Sequence, residues 1–128
     1  MNKKIILTAT VFGIIAIVLG AFGAHALKKV LTTDQLNSFE TGVKYLMYHA
    51  FFLFFVGNTS FIEIKNKKII YLLTLIGIVM FSLSIFLLTT TNIIGINFKF
   101  LGPITPVGGL FLIASWVLTF YYVLVKKE

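Results

Sequence analysis

Most of the side chains that could do chemistry in this chain lie in one stretch, Phe39-Glu-Thr-Gly-Val-Lys-Tyr-Leu-Met-Tyr-His-Ala50. At helical spacing Glu40, Lys44 and Tyr48 form one line, with the acid four residues ahead of the base. Thr41, Tyr45 and His49 form the adjacent line, and His25 reaches a similar depth if the intervening connection doubles back. Histidine titrates near neutral pH and a neighbouring carboxylate can hold its tautomer, so His25, Glu40, Tyr45, Tyr48 and His49 are the candidate set for proton handling or ligand binding. The structural alternative is an ion pair between Glu40 and Lys44, tyrosines anchored at an interface, and histidines bonding across helices.

Other chemistries find little support. A zinc site from His25, His49 and Glu40 lacks the tight ligand spacing of metal motifs, and neither a metal nor another cofactor is expected. The sole aspartate is Asp34, no serine occupies a G-x-S-x-G turn, and without cysteine there is no thiol nucleophile. A second candidate is the turn Gly102-Pro-Ile-Thr-Pro-Val-Gly-Gly109. There Thr105, Pro106, Gly108 and Gly109 would open a helix whose backbone N–H groups face an anion such as a lipid phosphate, with Lys99 nearby. The alternative is that these residues simply start and pack a helix, since no phosphate-loop pattern accompanies them.

The elements that hold these residues are apolar. The chain is 128 residues long with 59% hydrophobic and 12% charged residues, against roughly 45–50% and about 25% in soluble domains. So few charges cannot cover the surface of a water-soluble fold, which makes lipid the solvent. The net charge of +7 comes from lysines at the ends of apolar runs. Their placement argues for topology and anionic head groups and against nucleic acid.

Ile5 to about Ala24 is the first run, close to the ~20 residues that cross a bilayer. Ala24-His25-Ala26 imitates a signal-peptidase site, but the run is longer than a signal core, and a retained span is expected. Gly13, Ala16, Gly20 and Ala24 draw a narrow stripe suited to close helix packing. Thr32 and Gln35 have capping-box spacing, so a helix starts at about 33, first amphipathic and then spanning 43–61. A basic turn over 62–68 leads to a span at 69–90, with Thr74, Gly77, Ser82 and Ser84 as packing positions. An irregular apolar loop comes next, and a last helix over 105–125 has Thr105 as N-cap and Pro106 first in the helix. The expected fold is therefore all-α, an integral membrane four-helix bundle. One face collects Lys3, Lys4, Lys65, Lys67, Lys68, Lys126 and Lys127, the other Lys28, Lys29, Lys44 and Lys99. The positive-inside rule then puts both termini in the cytoplasm.

Three segments carry a resemblance: Gly20-Ala-Phe-Gly-Ala-His25, Phe39 to Ala50, and Leu101-Gly-Pro-Ile-Thr-Pro-Val-Gly-Gly109 with Trp116. In that order they resemble the motifs of the YgdD/YwdK-like family of small bacterial inner-membrane proteins (domain-of-unknown-function family 423), related to a eukaryotic transmembrane protein. Lys44 stands where that family more often has Arg, and Ser115 where Gly often precedes the Trp. The resemblance implies four transmembrane helices and transfers no catalytic or binding residues. The expected role is a non-enzymatic structural or interaction component of the cell membrane, in contact with lipids and with a second copy or a membrane-protein partner. A small transporter or proton-coupled channel, and a lipid- or quinone-handling membrane enzyme, are the alternatives.

Overall fold

A computed structural model describes residues 1–127, and every regular element among them is helical. The order is α1 (Asn2–His25), a 3-10 turn (Leu27–Lys29), α2 (Thr33–Asn58), α3 (Ile64–Ile78), a π-helical segment (Val79–Leu83), α4 (Ser84–Thr89), α5 (Thr91–Ile94), a 3-10 turn (Lys99–Leu101) and α6 (Ile104–Val125). Three stretches are long and apolar enough to cross a membrane: Asn2–Lys29, Ile64–Thr89 and Lys99–Val125. α2, at 26 residues, has similar length but stands outside that set, its apolar residues being interspersed with polar ones such as Lys44, Tyr45, Tyr48 and His49.

The helix boundaries follow from local chemistry. Thr32 and Gln35 form the capping box: the Gln35 N–H donates to the Thr32 hydroxyl at 3.2 Å and the Thr32 N–H to Gln35 Oε1 at 3.0 Å. Each such cap is worth about 1 kcal/mol. α3 begins at Ile64, so Lys65, Lys67 and Lys68 lie in its first turns and not in a turn before it. A cation near a helix start opposes the macrodipole, yet Lys67 escapes this by folding inward. Its ammonium donates to Gly57 O at 3.5 Å, at the carbonyl end of α2, and to Asn2 Oδ1 at 3.0 Å. α6 begins one residue before the expected Thr105, and Pro106 takes its third position. A proline there is harmless, because no first-turn N–H has an intrahelical acceptor. Thr105 does not cap the helix; its hydroxyl meets Ser84 Oγ at 2.6 Å.

α1 lies along α2, α6 lies along α3 and the π-helical segment, and α2 joins the two pairs by meeting α3, the π-helical segment and α4. Small residues of α1 do form a seam, though not the expected one. Ala9, Ala16 and Gly23 are buried and Gly20 meets Val43, whereas Gly13 faces open space and Ala24 is exposed. A tighter approach occurs at Gly108, where a Cβ would stand 2.5 Å from Phe81 N and 2.7 Å from Met80 C. α6 therefore presses its backbone against that of the π-helical segment. Ser82, within that segment, donates to Gly42 O on α2 at 2.8 Å. Such interhelical bonds replace the hydrophobic force that lipid does not supply.

Candidate functional site: the His49–Trp116 link

His49 lies on the inner face of α2, 4% exposed, one turn from Phe52. A buried imidazole without partners would cost free energy at both nitrogens, and both are engaged. Nδ1 lies 2.7 Å from Tyr45 O, a carbonyl that can only accept, so Nδ1 carries the proton. Trp116 Nε1 lies 3.1 Å from Nε2, and since indole N–H only donates, Nε2 must accept. His49 is thus a neutral Nδ1–H tautomer, and a second proton on Nε2 would set two donors against each other. Phe52 holds the pair in place, with its ring 4.4 Å from that of Trp116 and 5.9 Å from that of His49.

Beside this link a lateral groove of about 410 Å³ runs between α2 and α6, lined by Tyr45 and His49 on one side and Leu112, Ile113, Trp116 and Val117 on the other. Phe81 of the π-helical segment also lines it, its ring 5.0 Å from that of Tyr45. The groove is apolar, and its nitrogen-bearing side chains already bond to each other.

The remaining candidates disperse. Glu40 and Lys44 are both exposed, and the i, i+4 pair expected between them is not formed: the ion pair found among the described residues is Lys65 with Glu63 at 3.7 Å. Exposed ends gain little from pairing and lose rotamer freedom, which removes the incentive. His25 is exposed at the last turn of α1, and among the described residues no hydrogen bond or ion pair joins it to Glu40 or His49. Tyr45 and Tyr48 are exposed and lie ring to ring at 5.5 Å. Among the described residues no group of three or more His, Cys, Asp or Glu could hold a metal ion. At the start of α6, Thr105 is committed to Ser84, Gly108 is buried against backbone, and Gly109 borders the groove.

Spacing along one helix did not disclose Trp116 as the partner of His49, because the link depends on how α2 and α6 rotate against each other. It also missed Lys67 turned inward and the Thr8–Tyr71 hydroxyl pair at 2.7 Å. The one signal in the sequence was composition: single polar residues inside apolar runs need partners somewhere.

A family model described as protein of unknown function (DUF423) matches residues 19–109. The chain is 38% identical over 121 residues to the UPF0382 membrane protein YwdK of Bacillus subtilis, an alignment covering 91% of this chain and 92% of that protein. It is 38% identical over 99 residues to the UPF0382 membrane protein SH2409 of Staphylococcus haemolyticus, covering 77% of each. A UPF0382 membrane protein of Haemophilus influenzae is 29% identical over 119 residues, covering 91% and 90%. No solved structure matches the chain. From the extent of these matches, together with three helices able to cross a bilayer, the chain belongs to the DUF423 family and is a helical membrane protein, in keeping with relatives named as membrane proteins.

Proposed function

We propose that the protein is a structural or interaction component of the bacterial cell membrane, a multi-pass four-helix bundle with both termini in the cytoplasm. The observation that carries this reading is His49, the deepest ionisable side chain of α2, whose two nitrogens are both used inside the protein. Intramembrane ionisable residues mark ion or substrate pathways when they face a watery cavity. His49 faces Trp116 and Phe52 and an apolar groove instead. As a fourth span, α2 would keep Glu40 and Lys44 near one surface and bury its apolar second half. A proton-coupled channel is disfavoured for the same reason, and a lipid or quinone enzyme by the separation of His25 and Glu40 from His49.

An interaction role is supported by the outer faces of α1 and α6, where Ile14, Ile17 and Val18, and Leu110, Ile113 and Phe120, remain exposed. These faces suit lipid, a second copy or another membrane protein. Crosslinking in native membranes tests the reading: discrete adducts with itself or a neighbour are expected, and a monomer without neighbours would remove its support. Proton flux in proteoliposomes that vanished in His49→Leu would replace it with the channel.

A further inference from the structure

The starts of α1 and α3 enclose a second site, away from His49. An open groove of about 490 Å³ is lined by Lys3, Lys4, Leu7, Thr8 and Val11 of α1 and by Tyr71 of α3. Its parts are layered. At the mouth Lys3 and Lys4 are exposed, and among the described residues no carboxylate lies within ion-pair distance of either. The Lys4 ammonium lies 5.9 Å from the centre of the Tyr71 ring. The single hydrogen of the Thr8 hydroxyl goes to Lys4 O at 2.9 Å, so the 2.7 Å contact with Tyr71 is a bond donated by the phenol. This bond fixes the Tyr71 ring as a wall and spends its proton, leaving the lysines as the donors free to meet a ligand. Deeper still, Leu7 and Val11 are exposed and aliphatic.

From Lys4 to Val11 the helix rises about 10 Å, at ~1.5 Å per residue. Over that distance the wall passes from exposed cations to bare aliphatic surface, the order of a phosphate and the first part of an acyl chain. We propose that this groove binds one anionic phospholipid, with its phosphate between Lys3 and Lys4 and an acyl chain along Leu7 and Val11. Charge complementarity selects the anionic class: a headgroup carrying its own ammonium would bring a further cation to lysines that have no carboxylate partner among the described residues. Basic pockets between spanning helices recognise such headgroups by this means. The site deepens the proposed lipid contacts, and it rests on α1 and α3 both opening at a headgroup layer.

The test is native mass spectrometry of the detergent-solubilised protein offered equal amounts of phosphatidylglycerol and phosphatidylcholine. The wild type is expected to retain one phosphatidylglycerol in preference. The Lys3→Gln/Lys4→Gln variant should lose that retention by roughly thirtyfold, the effect of two lysines at an anionic phosphate. Lys28→Gln/Lys29→Gln carries the same charge change at the other end of α1 and should keep the preference. Val11→Trp fills the apolar wall with both lysines intact and should also weaken retention, which covers a lysine variant that fails to fold. Equal retention of the two lipids by the wild type, or equal losses in both lysine pairs, would overturn the site. If either occurs while the protein resists alkaline extraction from membranes, the spanning reading stands and only the lipid site falls.

Discussion

Replacing Trp116 by Phe is the sharpest perturbation of the His49 link, because it removes the indole N–H and keeps a ring against Phe52. Trp116 is 49% exposed, so the smaller ring gives up little buried area. The loss falls on His49 Nε2, an acceptor in a residue 4% exposed, left without its donor. An orphaned buried acceptor costs about 1–3 kcal/mol. Helix-to-helix hydrogen bonds measured within membranes couple by about 0.6 kcal/mol on average and ~1.7 at most, so the lower part of that range is expected. A double-mutant cycle with His49→Leu isolates the bond. Reversible unfolding by SDS in mixed micelles should give a coupling of about 0.6–1.7 kcal/mol. Nitrogen-15 spectra of labelled histidine should show a protonated Nδ1 and a bare, hydrogen-bonded Nε2 at neutral pH. A coupling of zero, or a proton on Nε2, would refute the reading of His49 as an interhelical tie.

The same packing sets the outcome of other substitutions. Gly108→Ala should destabilise by roughly 1–3 kcal/mol, since its methyl meets backbone atoms of Met80 and Phe81 that cannot yield. Gly13→Ala, facing open space in mid-helix, should instead be neutral or gain about 0.5–1 kcal/mol; the same unfolding assay reads both, and equal effects would contradict the close approach of α6. Lys67→Met keeps volume but removes bonds to Asn2 and Gly57, and should cost about 1.5–3 kcal/mol, the range for hydrogen bonds made by charged groups. A loss seen equally in an Asn2→Ala background would deny that the two side chains are joined. Glu40→Gln with Lys44→Gln should change stability by less than about 0.5 kcal/mol, as for exposed unpaired charges, and a coupling between them by double-mutant cycle would show a pair that forms in the bilayer.

Helix content and the start of α2 were legible because they depend on local signals. Apolar runs bounded by lysines define the rods, and a Thr and a Gln three apart are enough to cap α2. The site was legible only in part. The spacing of Glu40 and Lys44 permits a pair, but permission is not a driving force when both ends are solvated. For His49 the need for a partner could be read, yet its identity could not, since Trp116 lies far along the chain and meets it through tertiary rotation alone. The lysines before Ile69 misled for a related reason. Their charge argued for a turn, while the carbonyl end of α2 offered Lys67 an acceptor that no local window contains.

The π-helical segment at Val79–Leu83 acts as a phase shifter. A turn of this kind takes up one residue more than an α turn, so α4 beyond it is rotated by roughly 100° relative to an unbroken helix. Ser82 thereby addresses α2 at Gly42, while Ser84 addresses α6 at Thr105, and Phe86 comes to rest on Phe39. Deleting one residue between 79 and 83 would shorten the rod by only about 1.5 Å. It would nonetheless re-aim the whole of α4, parting Ser84 from Thr105 and Phe86 from Phe39 without disturbing α3. Length change at this point therefore alters direction and not reach, and the two halves of the rod can change partners independently.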